Sequence, residues 1–125
     1  MSDELQRLEA EVREFQQNAD LDFVDARRLS TVVNSLQGTL SRVVDRARKR
    51  GDHLLAGQSA CTWVSTTCQM SPNAAADRLC VGEQLESMPK VAEALSSGEI
   101  GYQAASVICH LQKHVSELEV RIDEE

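Results

Sequence analysis

Apolar residues recur along the first fifth of the chain at alternating steps of three and four. Leu5, Leu8, Val12, Phe15 and Ala19 therefore share one stripe of a helix, while Glu4, Arg7, Glu11 and Glu14 face away. The stripe has the spacing of a coiled-coil seam, and Leu5, Leu8, Val12 and Phe15 are candidates for a self-association face. Asp20-Leu21-Asp22 offers carboxylates to cap a second helix, whose core positions are expected at Leu29, Val33, Leu36, Leu40, Val43 and Ala47. Two long helices joined by a short turn are expected to pair as an antiparallel hairpin over residues 1–50.

Beyond Gly51 the punctuation becomes dense. Ser59 is positioned to cap a helix that buries Trp63 and Val64. Ser71-Pro72 starts another, since a hydroxyl acceptor is followed by a residue whose missing N–H costs nothing at the first helical position. Ala75, Leu79, Gly82 and Leu85 line one face of that helix, and Gly82 allows close approach by a neighbour. Pro89 restarts the chain through Leu95 and Gly98 ends that helix. A last helix begins near Tyr102, with Ala104, Ile108, Leu111, Val115 and Leu118 expected inward. Alternating strand-like segments are missing and aromatics are scarce. The expected fold is all-α, a long N-terminal helical hairpin packed on a four-helix C-terminal half over residues 57–120, within a single domain of residues 1–125.

Ala60–Cys68, the turn at 69–71 and Pro72–Glu86 have the lengths of a helix-turn-helix, in which Asn73, Asp77 and Arg78 would face a DNA groove. Asn can read adenine and Arg guanine, but Asp77, Glu83 and Glu86 repel phosphates. A second basic element, Arg46, Arg48, Lys49 and Arg50, closes the second helix ahead of Gly51. Cations there complement the helix dipole as well as offering a candidate phosphate contact. The net charge of −7 works against non-specific binding to nucleic acid or anionic membrane.

Cys61, Cys68, Cys80 and Cys109 make no C-x-x-C pair and read as small packed thiols. His110 and His114 share a helical face beside Cys109, but no third ligand is evident, so they read as a surface pair with no metal. His53 falls in a loop with nothing near in sequence to activate it. Gly98-Glu99-Ile100-Gly101 matches a G-x-x-G loop only superficially, because Glu99 opposes a phosphate. No phosphate-binding glycine loop, nucleophile elbow or perturbed carboxylate pair is visible, and neither catalysis nor a cofactor is expected. The start, Met1-Ser2-Asp3-Glu4, is acidic with no hydrophobic signal core. No apolar run spans a bilayer, so a cytoplasmic, membrane-free protein is expected.

The order of Gly57, Ser59, Trp63, Ser71, Ala75, Leu79, Leu85, Pro89, Val91, Leu95, Gly98-Glu99-Ile100, Ala104 and Ala105 resembles the bacterial domain of unknown function 222, the thirteen-E-twelve repeat proteins. The resemblance runs from about Leu21 to Leu118. It implies a shared helical fold and a neighbouring HNH endonuclease domain as partner, with no functional residue to transfer. Relatives carry several arginines in the helix after the Ser-Pro turn, where this chain has only Arg78. Gly101 stands where a Ser or Thr cap is usual, and the nuclease half is expected to be absent. The expected function is a non-catalytic module of an HNH-nuclease-associated protein that docks on DNA or regulates the nuclease. The competing expectation is a homodimer or interaction scaffold, assembled through the N-terminal helix without nucleic acid.

Overall fold

The computed structural model describes residues 3–124, with side chains described for residues 3–122; the acidic start read at Met1 and Ser2 lies partly outside them. Seven α-helices and no strands are present among the described residues: α1 (Asp3–Asn18), α2 (Ala26–Arg50), α3 (Asp52–Leu55), α4 (Ala60–Thr67), α5 (Pro72–Ser87), α6 (Pro89–Ser97) and α7 (Tyr102–Glu124). A 3-10 turn over Leu21–Phe23 joins α1 to α2. The fold is all-α, as the hydrophobic pattern indicated, and none of the described helices is long and apolar enough to cross a membrane.

Local chemistry sets most boundaries. The Ser59 hydroxyl accepts the Thr62 N–H at 3.1 Å and the Ser71 hydroxyl accepts the Ala74 N–H at 3.1 Å, with Pro72 opening α5. Gly51 and Gly98 end α2 and α6 in the left-handed region, at φ 83° and 85°, where a side chain would be strained. The cap of α2 is Asp25, which accepts the Arg27 N–H at 2.9 Å; Asp20 instead caps the short 3-10 turn. His53, expected in a loop, lies in the one-turn helix α3. No capping hydroxyl precedes α7, and its first N–H, that of Tyr102, donates to the Asn34 carboxamide of α2 at 3.0 Å. A residue 68 positions away does the work of the missing Ser or Thr.

Helix α5 is the hub, packed against α2, α4, α6 and α7. One apolar cluster joins Val81, Leu85, Leu95, Tyr102, Ala105 and Cys109; a second joins Val44, Val64 and Ala75, with Trp63 and Leu79 partly buried against it. The α5 face expected from the sequence is the one that packs. On α2 the buried residues are Gly38, Ser41, Val44, Asp45 and Ala47. Leu29, Val33, Leu36 and Val43, expected in the core, are exposed. The reason is the closeness of the crossing: a Cβ on Gly82 would lie 2.0 Å from the Ser41 carbonyl oxygen. Around Gly82 only small side chains fit between α2 and α5, so Leu29, Val33, Leu36 and Val43 are displaced to the neighbouring face of α2.

Helix α7 behaves the same way. Tyr102, Ala105 and Cys109 are buried, whereas Ala104, Ile108, Leu111, Val115 and Leu118 are exposed. No residue of α1 is buried. Its C-terminal end approaches α2 at an open groove of about 410 Å³ lined by Phe15, Phe23, Val24, Leu29 and Val32 among others. The side-by-side packing expected of the first two helices is thus not closed within the described chain.

Candidate functional site

Two features stand apart from ordinary packing: a polar seam between α5 and α7, and the apolar stripes left outside the core.

The seam is centred on Asp77, on the second turn of α5. Tyr102, Ser106 and His110 follow one another at four-residue steps on α7, so all three present side chains along a single line facing α5. The Tyr102 hydroxyl donates to Asp77 Oδ2 at 2.9 Å, the Ser106 hydroxyl donates to Oδ1, and His110 Nε2 lies 2.9 Å from Oδ1. An ionised carboxylate only accepts, so this geometry puts the imidazole proton on Nε2. The Arg78 guanidinium pairs with Oδ2 at 3.0 Å and lies over the Tyr102 ring, 4.5 Å from its centroid. Ser41 of α2 reaches the Tyr102 hydroxyl at 3.2 Å and ties the third helix to the cluster.

The electrostatics follow from these contacts. Burial alone would push the Asp77 carboxyl up, but the hydrogen bonds from Ser106, His110 and Tyr102 and the Arg78 charge hold it below the ordinary carboxylate value. The Tyr102 phenol is pushed up to about 12, first by burial and then by the adjoining Asp77, despite Ser41. Both directions favour one state, a charged Asp77 and a neutral Tyr102.

His110 Nδ1 lies 3.6 Å from the Cys80 Sγ. Cys80, His110 and Asp77 thus share the connectivity of a thiol, base and orienting acid. The thiol is in the wrong condition for attack. Cys80 is 4% exposed, and burial raises its pKa; the Lys113 charge opposes the rise and the Asp77, Glu83 and Glu117 carboxylates add to it. A reactive thiol needs access and a lowered pKa. Cys109 is likewise pushed up to about 11, by burial first. What the seam does chemically is clamp α7 onto α5. Among the described residues no three His, Cys, Asp or Glu side chains are placed to share a metal ion; His110 is turned onto Asp77 and His114 is exposed.

The candidate nucleic-acid residues are placed as follows. The α4–turn–α5 unit forms, and Asn73 is exposed on its first turn. Asp77 and Arg78 face α7 instead of the outside, bound in the seam. On the end of α2, Arg48 donates twice to the fully buried Asp45, through Nε at 3.1 Å and Nη2 at 2.9 Å, and Lys49 lies 3.1 Å from its other oxygen. Arg50 pairs with Asp52 at 2.9 Å, and Arg46 with Glu86 at 3.5 Å. Each of the four cations therefore has a carboxylate partner, and Asn73, Arg78 and the basic end of α2 are not gathered into one free basic face.

The second feature is larger. Leu5, Leu8, Val12 and Phe15 on α1, Leu29, Val33, Leu36 and Val43 on α2, and Leu111, Val115, Leu118 and Ile122 on α7 are all exposed, in three stripes of three-and-four spacing. Soluble monomers seldom leave contiguous apolar surface on this scale uncovered. The sequence pointed to the α1 stripe. It missed the other two as outer faces because hydrophobicity alone does not say which partner a stripe meets. The Asp77 seam was missed as well, although the spacing of Tyr102, Ser106 and His110 was a usable signal.

A comparison with protein-family models matches residues 23–122 to the family described as Domain of unknown function (DUF222). No curated protein and no solved structure matches the chain.

Proposed function

The chain belongs to the DUF222 family, whose description assigns no activity, and from its geometry we propose that it is a non-catalytic helical assembly module that associates with further copies of itself through its exposed heptad stripes. The observation that carries this reading is the inversion of its hydrophobic pattern. Small and polar residues line the packed face of α2, Ser41 and Asp45 against Gly82 of α5 and Gly38 against Leu95 of α6, while many of the large aliphatic side chains of α1, α2 and α7 lie outside. Apolar surface of this kind is covered by association, because its exposure costs roughly 25 cal/mol per Å².

A DNA-docking role, including one that positions a neighbouring HNH nuclease domain, is the second reading. Asn73, exposed at the start of α5, favours it. Against it stand the pairing of Arg46, Arg48, Lys49 and Arg50 with carboxylates and the enclosure of Arg78. Light scattering on the purified chain over a concentration series tests the leading reading, alongside a titration with labelled duplex DNA across a salt series. Self-association without salt-sensitive DNA binding supports the assembly module. A chain that stays monomeric and binds DNA with a steep salt slope reverses the order of the two readings.

A further inference from the structure

Resting on that reading, we propose that the self-association is a reciprocal helix exchange, in which α1 of one copy lies antiparallel along the outer stripe of α2 in a second copy. Read forwards from Leu5, the α1 stripe advances by three, four, three and four residues; read backwards from Val43, the α2 stripe does the same. One antiparallel register therefore matches every layer, placing Val12 opposite Leu36, Phe15 opposite Val33, and Leu8 opposite Leu40, which is itself partly buried against the Val44 cluster and leaves only its outer side to a partner. No other register aligns them all.

Charge selects the same partner. Two α1 helices paired with each other would bring their acidic flanks, Glu4, Glu9 and Glu11, together. Along α2 the matched register sets Glu9 and Glu11 beside the neutral Gln37 and Thr39, and Glu4 toward Arg46, which pairs with Glu86 at 3.5 Å but keeps 60% of its side chain exposed. The connection explains why the partner is a second copy. Ala19–Asp25 is held by its own hydrogen bonds: Ala19 N–H to the Phe15 carbonyl, Phe23 N–H to the Asp20 carbonyl, Asp22 N–H to the Asp20 side chain, and the Asp25 cap. With those bonds in place α1 meets its own α2 only at the groove that Phe15 shares with Leu29 and Val32, and the rest of both stripes, Leu5, Leu8 and Val12 on α1 and Val33, Leu36 and Val43 on α2, is open at once. A two-fold exchange satisfies both. Two such five-layer contacts would bury on the order of 1,500 Å², the size of a stable specific interface.

The test uses one matched layer. Val12 and Leu36 are 42% and 38% exposed, so Val12→Lys and Leu36→Glu leave the core alone, which circular dichroism confirms for each. The parent is expected to dimerise, and each variant alone to dimerise about tenfold more weakly or worse, because a charge faces an apolar residue in both of its contacts. Mixed together they are expected to recover dimer to within about threefold of the parent: one contact regains the native layer and the other gains an oppositely charged pair. A Leu36→Glu variant that dimerises as well as the parent overturns the exchange in favour of contact between α1 helices or through α7. A mixture no tighter than its components also overturns it. A parent that stays monomeric at all concentrations removes the assembly reading itself, a result distinct from either.

Discussion

Replacing Gly82 by Ala adds one methyl group at the tightest point of the molecule. Its Cβ would sit 2.0 Å from the Ser41 carbonyl oxygen, 2.7 Å from the Ser41 carbonyl carbon and 2.9 Å from the Asp45 Cβ, where ordinary contact begins at 3.4 Å. The obstacle is backbone and cannot rotate aside, so α2 and α5 must part by more than 1 Å. That movement strains the Ser41–Tyr102 hydrogen bond and loosens the packing over the buried Asp45. Overpacking of this kind costs roughly 1–3 kcal/mol and more where the backbone is the obstacle, and alanine's better helix propensity returns about 1 kcal/mol. Taking the upper end of that cost because the obstacle is backbone, the net loss is expected to be about 2 kcal/mol or more, a fall in Tm of about 8 °C or more for a chain of this length. Thermal and urea unfolding followed by circular dichroism at one fixed protein concentration measures it. Gly101→Ala is the control, because its Cβ meets only the Asn34 side chain, at 3.6 Å, and it should cost less than about 1 kcal/mol. A Gly82→Ala protein with Tm within about 2 °C of the parent would refute the close crossing and the account of why α2 turns its large residues outward.

Asp77→Ala removes the acceptor shared by Tyr102, Ser106 and His110 and leaves Arg78 unpaired, so unfolding free energy is expected to fall by about 2–4 kcal/mol; an unchanged urea midpoint would contradict the clamp. Asn34→Ala deletes the cap of α7 and should cost about 1 kcal/mol, with exchange of the Tyr102 amide accelerated. The Cys109 thiol is raised from 9.0 to about 11 and the Tyr102 phenol from 10.0 to about 12, so both favour the fold while neutral. Their contribution is complete below pH 9 and disappears as pH climbs through 11 and 12, which stability measured from pH 8 to 12 should show as a progressive loss. Asp77 acts oppositely: its lowered pKa stabilises the fold above the ordinary value of 3.8, and the benefit is lost as pH falls below it.

Much of the frame could be read from the chain because it is written locally. Ser59, Ser71-Pro72, Gly51 and Gly98 cap what their chemistry says they cap, and the Ala75, Leu79, Gly82, Leu85 face of α5 packs as its pattern indicates. The misreadings share one cause. On α2 the face that packs is built largely from Asn34, Gly38, Ser41 and Asp45, residues that a hydrophobicity pattern passes over; of the expected core positions Ala47 is buried and Leu40 partly so, while Leu29, Val33, Leu36 and Val43 lie outside. On α7 the stripe from Ile108 to Leu118 misled in the same way, while the packing face is Tyr102, Ala105 and Cys109. The Asp77 seam and the Asn34 cap join residues 25 to 68 positions apart, and no local rule links them. An apolar stripe tells that a helix needs a partner; which partner depends on how closely its other face must approach the core.

Hydrogen exchange of α1 at low and high protein concentration shows whether a second copy covers its apolar stripe. A helix of 16 residues with none buried is marginal in water by itself, so protection of its amides reports a partner. The α1 amides, and those of α2 near Val33 and Leu36, are expected to be protected at high concentration and to lose that protection on dilution, while the α5 amides in the core stay protected at both concentrations. Exchange of α1 at the rate of an unfolded chain at every concentration would contradict the self-association, and the stripes would then have to be explained without a second copy.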